Sequence, residues 1–91
     1  MALTTSGGQA TLPVQTLTTH DITSADYIAP VGEDWPLAFM IDTTGTVSFR
    51  CVSSQATITR TFVGGVIHYV GAFDRVFHVA TVPTSITVGR P

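Results

Sequence analysis

Thr46-Val-Ser-Phe-Arg-Cys-Val52 decides the fold class, because Val47, Phe49 and Cys51 alternate strictly with Thr46, Ser48 and Arg50. A two-residue period sends the first set to one face of an extended chain and the second to the other, the pattern of a half-buried strand. Immediately upstream, Asp42-Thr-Thr-Gly45 reads as a turn whose glycine tolerates positive φ, and the apolar run Leu37 to Ile41 before it reads as another strand. The two are expected to form a hairpin.

Downstream of Ser53-Ser-Gln55 the alternation resumes from Ala56 to Phe62. Ala56, Ile58 and Phe62 share one face, which Arg60 interrupts, and Thr57, Thr59 and Thr61 form the other. A threonine ladder of this kind suits a sheet surface that meets water or a neighbouring subunit. Gly64-Gly65 breaks the chain, Val66 to Val70 reads as the next strand, and Gly71 marks a bulge or bend. The strand expected from Phe73 to Thr81 places Phe73, Arg75, Phe77 and Val79 opposite Asp74, Val76, His78 and Ala80; a turn at Pro83 and a short closing strand, Ile86 to Val88, follow. Nowhere do apolar residues recur at helical spacing over the 11 or so positions a helix needs. The expected fold is all-β, a small antiparallel β-sandwich or barrel of about six to eight short strands.

Residues 1–25 differ from the rest. They are dominated by Thr, Ser, Gly and Gln, with isolated apolar residues at Leu12, Val14, Leu17 and Ile22. This stretch reads as an extended N-terminal arm and residues 26–91 as the sandwich or barrel domain, with Leu12 to Leu17 able to pair as an edge strand. Either the arm is a disordered tail or, as its recurring apolar residues favour, contact with a partner orders it.

At 91 residues the chain has room for one domain, and 44% hydrophobic against 11% charged residues places it far from disordered compositions. A domain of this size buries too little surface to hold a wide stability margin alone, and Cys51, the sole cysteine, excludes an intrachain disulfide. Neighbouring subunits are the expected support. Lysine is absent, and the cations Arg50, Arg60, Arg75 and Arg90 are evenly spread rather than clustered. With a net charge of −2 this excludes a nucleic-acid-binding stripe. So little charge also suits a surface that is covered in use. No stretch approaches the roughly 20 apolar residues of a membrane-spanning helix, and Met-Ala-Leu-Thr-Thr-Ser-Gly-Gly does not resemble a signal peptide. No membrane partner is expected.

Candidate chemistry is sparse. No Gly-x-Ser-x-Gly elbow occurs, and the Ser and Thr residues fall in strands and turns, so no catalytic residues and no enzymatic activity are expected. His20, His68 and His78 lack metal-ligand spacing and read as hydrogen-bonded histidines at sheet or subunit surfaces, with a metal shared around a symmetry axis as the alternative. The acidic residues are too scattered for a calcium loop, and Asp42 and Asp74 read as turn and edge residues. No metal and no cofactor are expected. Cys51 follows the apolar face and reads as a small buried hydrophobe. Trp35, before Pro36, is either an exposed interface anchor or a core plug. The interface candidates are therefore Leu12, Val14, Leu17, Trp35, Thr57, Thr59 and Thr61.

The order of motifs adds a setting. Asp21-Ile-Thr-Ser-Ala-Asp26, the strand after Trp35-Pro36-Leu37, Asp42-Thr-Thr-Gly-Thr-Val-Ser-Phe49, Gly64-Gly65 and Gly71-Ala-Phe-Asp-Arg-Val76 together resemble the small head spike base proteins of tailed phages and gene transfer agents. The similarity spans roughly residues 20–90; Ser24 stands where that family tends to have proline. The resemblance implies a virion structural protein synthesised in the host cytoplasm and seated on the capsid surface at a vertex. Its implied partners are the major capsid protein, a spike or fibre protein and further copies of itself, as a trimer or pentamer. Two alternatives stay open: a decoration or cement protein at capsomer joints, and a small carbohydrate- or receptor-binding β-sandwich with Trp35, Tyr27 and Tyr69 as a stacking platform.

Overall fold

In the computed structural model, which describes residues 14–91, the alternation that opened the sequence becomes strand β4 (Gly45–Cys51), with Val47 and Phe49 buried. Seven further strands surround it: β1 (Thr16–Asp21), β2 (Tyr27–Ile28), β3 (Ala38–Ile41), β5 (Thr57–Phe62), β6 (His68–Tyr69), β7 (Phe73–Val76) and β8 (Ser85–Arg90). They make two antiparallel sheets, ordered β1-β8-β3-β6 and β2-β7-β4-β5, with no helix among the described residues. The all-β expectation and the strand number therefore hold.

The core lies between the sheets. Phe39, Ile41, Ile86 and Val88 come from the first sheet, and Val47, Phe49, Phe73 and Val76 from the second. Phe39 meets Phe49, Phe62 and Phe73 with ring centroids 4.9 to 5.9 Å apart and steeply inclined planes, the edge-to-face arrangement that aromatic quadrupoles favour.

Five expectations need correction. β3 and β4 are not a hairpin: β3 pairs with β8 and β6, whereas β4 pairs with β5 and β7. The short turn at 42–44 carries the chain from one sheet to the other, which a turn signal alone does not distinguish from a hairpin. The strand expected from Phe73 to Thr81 stops at Val76, and its regular alternation is broken. Register slips opposite Arg50 and Cys51, so that Phe73 and Val76 both reach the core although three positions apart. Val66 to Val70 contributes only His68–Tyr69 as strand. The closing strand proves to be six residues long and central, held between β1 and β3.

The boundary at residue 25 also moves. All six residues of β1 pair with β8, and Ile22 is 2% exposed within the core, so the domain begins by Thr16 rather than at 26. The pairing succeeds because Gly89 has no side chain: a Cβ there would lie 2.6 Å from Val14 Cγ1 and 3.3 Å from Leu17 Cδ2. The arm's own apolar residues fill that space.

Candidate functional site

Four surface features follow from this topology. The first is electrostatic. Arg50 donates to Asp74 through Nε (2.9 Å) and a terminal nitrogen (3.2 Å), Arg75 Nε donates to Asp26 (2.8 Å), and Arg90 pairs with Glu33. Among the described residues only Arg60 of the four arginines has no ion pair. The few charges present are thus largely spent within the chain. Asp74 lies in a central strand, paired with Arg50, and not at the edge expected of it.

These pairs predict a pH dependence. The His78 backbone N–H and the Arg75 guanidinium hold the Asp26 carboxyl below its usual range, and the Arg50 and Gln55 side chains do the same for Asp74. Both folded-state values are depressed, so their stabilisation is fully present above the ordinary carboxylate value of about 4 and fades as pH falls through the depressed values. The thermal midpoint is expected to drop between pH 5 and 2, judged by circular dichroism. Asp26→Asn and Asp74→Asn together should flatten that slope; an unchanged slope would remove these carboxylates from the account.

The second feature is a cleft of about 490 Å³ between edge strands β1 and β2, lined by Thr18, His20, Tyr27, Glu33 and Arg90 among others. His20 Nε2 lies 3.0 Å from Thr18 Oγ1, and its ring sits 4.6 Å from that of Tyr27. Burial, with Arg90 nearby, lowers the His20 pKa, which favours the neutral imidazole. A hydroxyl beside a neutral imidazole is one element of a nucleophilic site. Among the described residues no carboxylate hydrogen-bonds the ring to orient it, and no group of three His, Cys, Asp or Glu could hold a metal. His68 instead bonds the Val63 carbonyl, and His78 lies against Asp26, so the three histidines stay apart.

The third feature is apolar. The β5–β6 connection bonds to the end of β3 through Gly65 N–H and Ile41 O (2.7 Å), and the β7–β8 connection reaches the start of β4 through Val82 N–H and Thr46 O (2.8 Å). Val63, Val66, Ile67, Val79 and Val82, all exposed, therefore gather at one end of the sandwich. Val31, fully exposed, and Trp35, at 42%, stand in the β2–β3 connection at the other. Trp35 is consequently exposed rather than a core plug. Valines in Gly- and Pro-bearing loops were the available signal for this surface, and strand alternation passes over them.

The fourth feature is edge strand β5. Thr57, Thr59 and Thr61 are all exposed along it, and Thr59 Oγ1 lies 3.0 Å from Ser48 Oγ of β4. Val14 is half-buried near Gly89, and Leu17 beside it remains 53% exposed. Leu12 lies outside the described residues. With Trp35 apart in the β2–β3 connection, the remaining described candidates separate into two groups: Val14 and Leu17 at the β1 edge of one sheet, and the threonines at the β5 edge of the other. Tyr27 is buried (6%) while Tyr69 is exposed, so Trp35, Tyr27 and Tyr69 do not form a common stacking platform. Cys51 is half-buried and packs against the core. No helix among the described residues is long and apolar enough to cross a membrane.

Comparison with family models, curated proteins and solved structures found no match for this chain.

Proposed function

We propose that the chain is a non-enzymatic structural protein of a phage-like particle, a capsid-attached head spike base that assembles with copies of itself and anchors a spike or fibre. The observation that carries the assembly part is the surface. Among the described residues ten large apolar side chains are exposed, while the arginines that could keep such a surface soluble are mostly engaged in internal ion pairs. Exposed apolar area on this scale, half of it gathered at one end and poor in free charge, is characteristic of protein that is covered by other protein. The particle itself comes from the motif order between Asp21 and Val76 that resembles spike base proteins. Capsid decoration is the alternative reading and differs only in position on the shell.

The test is direct imaging. Phage-like particles purified from producing cells that express an epitope-tagged copy are expected to carry the tag at capsid vertices in electron micrographs; tag at capsomer joints would favour decoration instead. Recovery of all tagged protein in the particle-free fraction would end the proposal.

A further inference from the structure

The two six-residue edges, β1 and β5, differ in what they offer a partner. Cys51 N–H donates to Ala56 O (3.0 Å), which fixes the phase of the β4–β5 ladder. Hydrogen-bonded positions alternate from there along the register Phe49↔Ile58, Val47↔Arg60 and Gly45↔Phe62. Ile58, Arg60 and Phe62 therefore spend their backbone groups on β4, and Thr57, Thr59 and Thr61 turn theirs to the open edge. The three threonines whose side chains are exposed are the same three whose N–H and C=O groups have no partner strand among the described residues. Apart from Arg60 the strand carries no charge to discourage pairing.

We propose that β5 is the edge by which two copies of this chain join, antiparallel about a two-fold axis through Thr59, a proposal that rests on reading the protein as self-assembling. The register follows from the residues. Centring on Thr59 sets Thr57 against Thr61 of the second copy and Thr59 against its own equivalent, so all three threonines form hydrogen-bonded pairs. Arg60 then faces Ile58. Moving the axis to Ile58 or to Arg60 reduces the three pairs to two, and the second choice also sets Arg60 directly against Arg60, a destabilising like-charge pair. The other long edge lacks this self-complementarity. The bond from Ile22 N–H to Thr84 O leaves Leu17, Thr19 and Asp21 facing outward on β1, and the same symmetry there would set Leu17 against Asp21. The joint links subunits two by two and leaves β1 free for other contacts, so it adds to a trimeric or pentameric ring rather than replacing one.

Two variants of the full chain test it. Thr59→Pro deletes an outward N–H that β4 does not use and gives up only the single hydroxyl contact to Ser48, so the fold should persist, with an unchanged circular dichroism spectrum, while self-association measured by sedimentation weakens at least tenfold. Thr59→Cys places two sulfur-bearing residues about 5.5 Å apart between Cα atoms, within disulfide range. It should form a covalent dimer on mild oxidation, whereas Val31→Cys, at a fully exposed position of the β2–β3 connection, should not. A wild-type monomer at all concentrations, undiminished association of Thr59→Pro, or equal cross-linking of the two cysteine variants would each overturn the pairing. Any of these outcomes beside tagged protein on particles would remove the β5 joint and leave the capsid reading standing; a β5 dimer absent from particles would do the reverse.

Discussion

Truncating Phe39 to alanine is expected to lower the folding free energy by about 3–5 kcal/mol, the range for deleting a buried aromatic ring. Phe39 is 1% exposed and belongs to β3, whereas the three phenylalanines it touches belong to β4, β5 and β7. Its ring is therefore a principal bond between the sheets, and removing it opens a cavity that two separately hydrogen-bonded layers have little freedom to close. Edge-to-face pairs add about 0.5–1.5 kcal/mol each beyond area burial, although the three share one ring and will not sum. A domain of this size sits toward the lower end of the usual margin of about 5–15 kcal/mol, so the variant should retain little cooperative unfolding at 37 °C. Phe39→Leu keeps most of the apolar volume and should cost about 1–2 kcal/mol. Urea denaturation followed by circular dichroism measures both. A loss below about 1 kcal/mol for the alanine variant would mean that this ring does not couple the sheets.

The second large effect is expected at Gly64. A Cβ at that position would stand 2.7 Å from the carbonyl carbon of Thr43 and from the nitrogen of Thr44, and 2.9 Å from Thr43 Cα. All three are backbone atoms and cannot rotate aside. The approach is close because the β5–β6 connection is tied down there: Gly64 N–H donates to Thr44 Oγ1 at 2.9 Å, and Gly65 N–H to Ile41 O at 2.7 Å. Gly64→Ala must push two connections apart, at a cost of about 2–3 kcal/mol. Its neighbour is a glycine for another reason: Gly65 has φ +79° and open space around it. Alanine there meets only the left-handed backbone penalty of about 1–2 kcal/mol, which asparagine partly escapes. Thermal melts of the four variants separate the two causes. Asparagine should be tolerated at 65 and not at 64, and equal melting temperatures for the two asparagine variants would refute the clash.

The candidate surfaces were legible in unequal measure. The threonine ladder could be read from alternation alone, because a period of two assigns faces without knowing the partner strand. That β5 is an edge, and that the outward threonines also carry the free backbone groups, depends on strand order and ladder phase, which no local pattern contains. Trp35 was open between plug and anchor because a single residue before a proline has no period to place it. The cleft was invisible for a related reason: Thr18, His20 and Tyr27 lie close in sequence, but Glu33 and Arg90 reach it only once β1 pairs with β8 and the β2–β3 connection folds back.

The same division runs through the fold. Alternation in Thr46 to Cys51 and in Thr57 to Phe62, with glycine-bearing turns between strands and no helical period, was sufficient for an all-β domain of short strands. It was sufficient because side-chain direction in a strand is a local property of the backbone. The sheet to which each strand belongs is a non-local property, and only the tertiary structure decided it. The turn at 42–44 reads like a hairpin turn yet crosses between sheets, which sets Phe39 and Phe49 against each other across the core with ring centroids 5.6 Å apart. The register slip at Arg50 and Cys51 brings Phe73 and Val76 to one face against their spacing, because both side chains must leave water. Val14 and Leu17 fold back over Gly89 because the missing side chain leaves room there that only the paired strands reveal.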